Sequence, residues 1–167
     1  MNLNNYIRDI PDFPKKGIIF KDITPLLKNK DAYNYIIEEF KKRIIEKKID
    51  YIIGIESRGF ILGAALAQSL NCGFVPIRKK GKLPYTVISE TYDLEYGKDT
   101  LEVNLKLQAK KIIVVDDLLA TGGTARAACE LLNKAGATVS CFISLIELNF
   151  LNGRKKIDVP TETLIRY

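Results

Sequence analysis

The residues best suited to chemistry stand together where a buried strand meets a helix. Residues 112–115 form an apolar run that is too short for a helix and shows no polar alternation, which predicts a strand buried on both faces. We expect this strand to stop at two carboxylates, Asp116 and Asp117. A short apolar step leads to a glycine loop at 120–124, and good helix formers follow at 125–134. The predicted order is therefore strand, acidic pair, glycine loop and helix.

This order of elements can hold a sugar phosphate. Backbone N–H groups at a helix start favour a phosphate, and the glycines of the loop let the backbone approach it closely. The paired carboxylates suit two neighbouring sugar hydroxyls. The residues that would form the phosphate site are Ala120, Thr121, Gly122, Gly123 and Thr124. We therefore expect a ribose 5-phosphate site, although Asp, Gly and Thr in such a turn also serve simply to cap a helix.

The composition fits one ordinary globular domain over residues 1–167, with 47% hydrophobic and 28% charged residues. The chain contains no histidine, which excludes a Ser-His-Asp triad, a Cys-His pair and histidine-ligated metal sites. Its three cysteines, Cys72, Cys129 and Cys141, lack metal-ligand spacing, and their odd count argues against a disulfide framework. Any acid–base chemistry must therefore use Glu, Asp, Lys or Tyr.

The charge and hydropathy patterns argue against nucleic-acid and membrane partners. The formal net charge is +6, but the basic residues are spread along amphipathic segments, which is typical of a solvated lysine-rich surface. No apolar run approaches the length that spans a bilayer, and residues 1–5 begin polar without a signal-peptide core. We therefore expect a cytoplasmic protein.

A second strand, turn and helix follow the same pattern near residue 58. The predicted strand at 51–55 runs into a turn that contains Arg58. The spacing of Gly54 and Gly59 matches a nucleotide P-loop, but apolar residues at 60–61 stand where Lys and Ser or Thr would be required. The pattern therefore excludes a Walker motif and favours a second anion site, with Arg58 as the charged donor and pyrophosphate as a fitting ligand.

Two further segments would reach the same sheet edge. The predicted strand at 73–77 leads into a loop in which four cations fall within five residues. Such a loop is usually only solvated, but here its strand would deliver it beside Arg58 and the acidic pair. Residues 85–103 alternate β-branched or aromatic residues with polar ones, which predicts a hairpin-like excursion with its tip at 89–98. A mobile polar tip suits a lid that excludes water.

The remaining pattern supplies structural elements without assigned chemistry. Apolar residues at helical spacing predict a surface helix at 31–48. A long apolar strand at 138–147 would complete a parallel core, and a last strand is expected at 163–166. The basic residues at 154–156 are expected to be solvated.

The stretch VVDDLLATGGT at 114–124 resembles the phosphoribosyl diphosphate (PRPP) signature of the type I phosphoribosyltransferases, in the form of their adenine-specific branch. The similarity covers nearly the whole chain from Asp12, with a base segment, pyrophosphate loop, basic loop, lid and PRPP loop in family order. It implies an α/β fold with a mostly parallel central sheet flanked by helices, and a small base-covering hood from residues 1–30. Right-handed crossovers would place the loops on one edge.

The reaction that this resemblance implies converts adenine and PRPP to AMP and pyrophosphate. The position of Ile19 would offer backbone groups to the adenine edge, and that of Phe20 a stacking ring. Lys21 stands where basic residues occur in the family, and Lys in place of Arg would lose a bidentate contact but keep a point charge. Glu95 is implied as the catalytic residue that stabilises or exchanges a proton with the purine nitrogens, and Tyr96 would cover the site.

The resemblance also assigns the anion contacts. The residues implied in pyrophosphate binding are Arg58, Arg78, Lys79 and Lys82, of which Arg78 would reach PRPP across a dimer interface. A cis peptide, common in this loop of the family, would fall at Glu56-Ser57. Mg²⁺ would be bound mainly through PRPP, pyrophosphate and water, so no dedicated protein ligands are expected. A homodimer is implied as well.

Two other functions stay open at this stage. The base could be hypoxanthine, guanine or xanthine, depending on whether the pocket presents a backbone acceptor to a 6-amino group or a cation such as Lys21 to a 6-oxo group. A PRPP-sensing regulator that binds DNA would keep the same site. Regulators that resemble this fold carry an extra DNA-binding segment, for which we expect no room before Asp12.

Overall fold

The computed structural model describes residues 1–44, 48–94 and 97–167, in which strands and helices alternate along most of the chain. The strands are β1 (Arg8–Pro11), β2 (Ile19–Asp22), β3 (Tyr51–Ile55), β4 (Gly73–Lys79), β5 (Ile88–Asp93), β6 (Lys98–Val103), β7 (Lys111–Leu119), β8 (Thr138–Glu147) and β9 (Thr161–Arg166). The α-helices are α1 (Thr24–Lys28), α2 (Lys30–Arg43), α3 (Arg58–Ser69) and α4 (Gly123–Lys134). Short 3₁₀ turns lie at Leu3–Tyr6, Asn149–Leu151 and Gly153–Lys156.

The central sheet has seven strands in the order β5-β6-β4-β3-β7-β8-β9. Strands β4, β3, β7, β8 and β9 run parallel, whereas the β5–β6 hairpin joins β4 antiparallel. Strands β1 and β2 form a separate antiparallel hairpin. The predicted α/β fold with a mostly parallel central sheet is therefore confirmed.

The two faces of the sheet bury separate apolar layers. Ile112 and Val114 of β7 pack in the layer that contains α4, and Ile113 and Val115 pack in the layer that contains α2 and α3. All four side chains are fully buried, and each such burial contributes about 1.5–3 kcal/mol to the free energy of unfolding. The prediction of a strand buried on both faces is confirmed. No helix within the described ranges is long and apolar enough to cross a membrane.

Strand β7 continues beyond the acidic pair, so the prediction that it stops at Asp116 was wrong. The reason is that β8 keeps pairing with it as far as Leu119, whereas β3 pairs with it only as far as Val115. The two carboxylates therefore lie where β7 has lost one neighbour. The chain leaves β3 toward β4 on one side and β7 toward β8 on the other, and this reversal creates the crevice in which open α/β sheets bind ligands.

Other predicted elements also differ in length from the observed ones. Strand β4 extends two residues beyond its predicted end, so Arg78 and Lys79 belong to the strand. Helix α2 ends at Arg43 rather than at residue 48, because the next residue, Ile44, is already extended. Strand β9 begins two residues earlier than predicted. The predicted hairpin is confirmed, since β5 and β6 pair antiparallel with Asp93 opposite Lys98.

Candidate active site

A cavity of about 490 Å³ opens at the carboxyl ends of β3 and β7. It is lined by most of the residues that the sequence singled out, namely Phe20, Arg58, Lys79, Asp116, Asp117, Ala120, Thr121, Gly122, Gly123 and Thr124. The side chains of Ile19, Lys21, Arg78 and Lys82 are not part of this lining. Glu95 and Tyr96 lie outside the described residues, but Leu94, which precedes them, lines the cavity.

The glycine loop positions the start of helix α4 against this cavity. Gly122 is the N-cap and has a φ of 81°, a left-handed conformation that glycine adopts without steric cost. The first helical hydrogen bond runs from Arg126 N–H to Gly122 O at 2.9 Å, so the preceding N–H groups have no carbonyl of their own helix to bond. A side chain at Gly122 would also collide with the carbonyl of Gly153. The loop can therefore present its amides to an anion only with glycine at this position.

The acidic pair combines burial with an incomplete set of partners. Asp116 Oδ1 accepts a hydrogen bond from the Asp117 N–H at 2.9 Å, and Asp117 Oδ2 lies 2.9 Å from Arg58 Nη2. Burial raises the pKa of Asp116, and the neighbouring Asp117 raises it further. Burial also raises the pKa of Asp117, against the opposing charge of Arg58. Asp117 Oδ2 is buried and receives no well-aligned hydrogen bond from the described residues, so the Arg58 charge beside it compensates for its burial.

Arg58 lies between the acidic pair and an aromatic side chain. Its guanidinium carbon is 4.7 Å from the centre of the Phe20 ring, while its Nη2 reaches Asp117. The Phe20 ring in turn meets the edge of Phe13 at 5.2 Å. In this structure Arg58 therefore connects the predicted base and ribose positions, and its predicted contact with pyrophosphate stays a prediction. The Glu56-Ser57 bond is cis, as the resemblance implied.

The cations of the basic loop are held by carboxylates. Lys79 Nζ lies 3.0 Å from Asp99 Oδ2 at the cavity wall. Lys82 Nζ and Arg78 Nε reach Glu56 at 2.5 and 3.4 Å, and the N–H of Lys79 donates to Glu56 at 2.8 Å. Burial alone would raise the pKa of Glu56, but these donors outweigh it and lower the pKa to about 2. Glu56 is therefore ionised at neutral pH.

Lys21 is turned away from the cavity. Its Nζ donates to both carboxylate oxygens of Asp9, at 2.7 and 2.9 Å, and lies 3.7 Å from the centre of the Tyr167 ring. Successive side chains of a strand point to opposite faces, so the orientation of Phe20 toward the cavity sends Lys21 to the other side. The structure does not bring the Lys21 charge to the predicted base position. The side chain of Ile19 is exposed, and the resemblance implied only backbone contacts for it.

Sequence reasoning missed several residues of the cavity and its support. Those that line the cavity are Glu56, Ser57, Asp99, Leu101, Leu118, Leu119 and Ala125, together with Tyr92 and Leu94, which lie within the predicted lid but were given no role of their own. Tyr92 is 6% exposed, and its hydroxyl lies 3.4 Å from Thr124 Oγ1. Leu118 and Leu119 could have been predicted from the sequence. They lie between the acidic pair and the glycine loop, and both of these were predicted to bind ligand.

Arg154 is also not the freely solvated residue that was expected. Its Nε and Nη2 bond to the two carboxylate oxygens of Glu147 at 3.0 and 2.5 Å, and it contacts the carbonyl of Thr161. The side chain of Glu147 is only 5% exposed, so its carboxylate requires a cationic partner. The turn that Arg154 secures carries Gly153, whose backbone packs against the glycine loop.

Comparisons with known proteins show which proteins this chain resembles. A family model described as the phosphoribosyl transferase domain matches residues 23–160. An adenine phosphoribosyltransferase from Brachyspira hyodysenteriae is 54% identical over 170 aligned residues, which cover 100% of both chains.

Solved structures give the same result. The adenine phosphoribosyltransferase of Thermoanaerobacter pseudethanolicus superposes with a TM-score of 0.95 and 50% identity, over 99% of this chain and 98% of that chain. The Saccharomyces cerevisiae enzyme, solved with adenine and an imino-altritol bisphosphate, has a TM-score of 0.91 and 42% identity, over 95% of this chain and 94% of that chain. The resemblance seen in the sequence is confirmed, and the chain belongs to the phosphoribosyl transferase family.

Proposed function

We propose that this chain is an adenine phosphoribosyltransferase, which transfers the 5-phosphoribosyl group of PRPP to adenine and releases pyrophosphate in purine salvage. The observation that carries the proposal is one cavity lined by an acidic pair, a phosphate-binding loop and an aromatic ring. Full-length identity of 54% to an adenine phosphoribosyltransferase supports the choice of base.

The cavity offers a separate environment to each part of the substrates. The amides and hydroxyls of 120–124 would hold the 5-phosphate at the start of α4. Asp116 and Asp117 would accept hydrogen bonds from the ribose hydroxyls. Phe20 and Leu118 supply apolar wall for a planar base.

The reaction breaks the bond from ribose C1 to a pyrophosphate oxygen and forms a bond from C1 to a ring nitrogen of adenine, which loses a proton. Positive charge grows on the sugar, where the acidic pair stabilises it, and negative charge grows on the leaving group. Arg58, Lys79 and Lys82 would stabilise that negative charge. Glu95 would exchange the proton with the base or stabilise its charge, as the resemblance implies.

We also propose that PRPP is used as its magnesium complex. Over the described ranges, no group of three or more Asp, Glu or Cys residues could hold a metal ion. Asp116 and Asp117 line the cavity, and their carboxylates could contact the water shell of an ion that arrives on its substrate. When bound, the ion would offset negative charge on the departing pyrophosphate.

We further propose a homodimer, on the resemblance alone. Arg78 would then contribute to PRPP binding in the partner subunit, although it contacts Glu56 of its own chain here. Analytical ultracentrifugation of the purified chain tests the dimer, and a monomer at assay concentrations would contradict it.

The decisive experiment measures pyrophosphate release with PRPP and Mg²⁺ in the presence of adenine, hypoxanthine, guanine or xanthine. We expect turnover with adenine and not with the 6-oxo purines, because the Lys21 charge is held by Asp9. Turnover with hypoxanthine or guanine instead would move the chain to another base specificity. Binding of PRPP without turnover on any base would overturn the enzyme proposal and favour the DNA-binding regulator.

A further inference from the structure

Glu56 contacts Lys82 and Arg78, two of the cations that the resemblance assigns to pyrophosphate binding, and the backbone of a third, Lys79. Its carboxylate receives Lys82 Nζ at 2.5 Å, the Lys79 N–H at 2.8 Å and the Arg78 guanidinium at 3.4 and 3.5 Å. The side chain of Glu56 is 7% exposed and also lines the cavity. One carboxylate therefore occupies two cationic side chains that an anionic ligand could bind.

We propose that Glu56 is a positioning residue that holds Lys82, yields it to pyrophosphate, and takes it back when pyrophosphate leaves. This inference rests on the proposed function and names a step within it. Glu56 contacts no reacting atom and acts through the lysine.

Among the cations that contact Glu56, Lys82 is the one best able to exchange partners. Its side chain is 48% exposed, and an ammonium carries three donors on a flexible stem. The backbone around it is fixed, since Lys82 N–H donates to Lys79 O at 3.3 Å and Gly81 N–H donates to Glu102 at 3.0 Å. Only the side chain of Lys82 has to move.

The exchange has a definite consequence for affinity. Pyrophosphate gains the contact with Lys82 only by displacing Glu56, so part of the interaction energy is lost and the product is released faster. Neutralising Glu56 should therefore tighten pyrophosphate binding. A purely structural role for Glu56 in ordering the basic loop predicts the opposite sign, because a disordered loop binds the anion less well.

The test measures binding of magnesium pyrophosphate by isothermal titration calorimetry in a double-mutant cycle. We expect Glu56→Gln to lower the Kd by about tenfold, the size of one charge-assisted hydrogen bond that no longer has to be displaced. In a Lys82→Met background the same substitution should change the Kd by less than about twofold, because the exchanging partner is gone.

Asp99→Asn is the matched control, since it removes an equal charge from the same cavity wall but its partner is Lys79. Any gain from Asp99→Asn should persist in the Lys82→Met background. An unchanged or higher Kd for Glu56→Gln, or a gain that survives Lys82→Met, would overturn the proposal. In the second case Glu56 would act only through its general electrostatic field.

A second measurement needs no substitution at Glu56. Reductive methylation of the ligand-free wild-type chain should modify Lys82 several-fold more slowly than the exposed Lys80 of the same loop, because Lys82 is paired with Glu56. Equal rates would contradict the ion pair on which the inference depends. Failure of wild type to bind pyrophosphate or turn over adenine would overturn the proposed function as well, whereas normal turnover with an unchanged Kd in Glu56→Gln would overturn only this inference.

Discussion

At the scale of single residues, Asp117 illustrates how a site sets function against stability. Its side chain is 5% exposed, and burial raises its pKa, so the ionised form is disfavoured by folding. We expect Asp117→Asn to lower kcat/KM for PRPP by about 10- to 100-fold, since it would lose the proposed charge-assisted contact with the ribose. Thermal unfolding at pH 7 should show no loss of Tm, because a buried charge has been removed. Full activity in the variant would contradict the assigned role.

The pKa of Glu56 is shifted in the opposite direction to that of Asp117, so its ionised form stabilises the fold. Its pKa falls from an ordinary value of 4.5 to about 2 in the folded chain, because the donors of the basic loop outweigh burial. It therefore contributes stability that is fully present above pH 4.5 and is lost as the pH falls toward 2. We expect wild type to exceed Glu56→Gln in Tm near neutral pH, with the difference narrowing below pH 4.5. A difference in Tm that stays constant down to about pH 3 would show that ionisation of the Glu56 carboxylate does not stabilise the fold.

At the scale of elements, the glycine loop depends on the turn that packs behind it. A Cβ on Gly153 would collide with the carbonyl of Ala120 and lie 2.8 Å from Gly122 N. The backbone conformation of Gly153 is one that alanine can adopt, so the collision is the main effect of the substitution. We expect Gly153→Ala to raise the KM for PRPP by about tenfold or more, because displaced loop amides no longer converge on the phosphate. Steady-state kinetics with PRPP as the varied substrate measures this.

Gly17→Ala is the matched control for that prediction. Gly17 has a φ of +87°, and a Cβ added to it would meet no other atom. The substitution therefore introduces backbone strain of about 1–2 kcal/mol without a collision. It should lower Tm while leaving the KM for PRPP within about twofold. An equal rise in KM for both variants would show that general destabilisation, and not the position of the loop, is responsible.

The elements themselves were largely predictable from sequence, since buried parallel strands are continuous apolar runs. The bounds of β3 and β8 match the predictions, because polar residues flank Tyr51–Ile55 and polar residues form both ends of Thr138–Glu147. The extension of β7 was not predictable, because it depends on pairing with β8 after β3 has ended. The pairing of Arg154 with Glu147 was missed for a similar reason, since a basic cluster carries no sign of a buried carboxylate seven residues earlier.

At the scale of the whole molecule, the sheet converts residues far apart in sequence into one cavity. The carboxyl ends of β3 and β7 supply Arg58 and the acidic pair, while β4 and the β5–β6 hairpin bring Lys79, Tyr92 and Leu94. Motif order predicted this convergence because crossovers in such sheets place loops on one edge. It could not predict the partners of Lys21, since Asp9 and Tyr167 come from opposite ends of the chain.

This contact between the two ends of the chain leads to a prediction about the base site. The Tyr167 ring lies over Lys21 Nζ, and Lys21 follows Phe20 directly in β2. The backbone of Tyr167 is held independently, because its N–H donates to Glu147 O at 3.0 Å and its O accepts from Asn149 N–H at 2.8 Å. Tyr167→Ala should therefore leave the backbone in place and remove the contacts of the ring, among them the cation–π contact, which is worth about 0.5–2 kcal/mol.

We expect Tyr167→Ala to raise the KM for adenine by about two- to tenfold, because β2 is less firmly held behind Phe20, while the KM for PRPP stays within about twofold. Tyr167→Phe retains the ring and should behave as wild type, which separates the aromatic contact from the hydroxyl. Initial rates measured with each substrate varied in turn provide both constants. Parallel increases in both KM values would indicate a general loss of structure, and no change in either would show that the end of the chain has no influence on the base site.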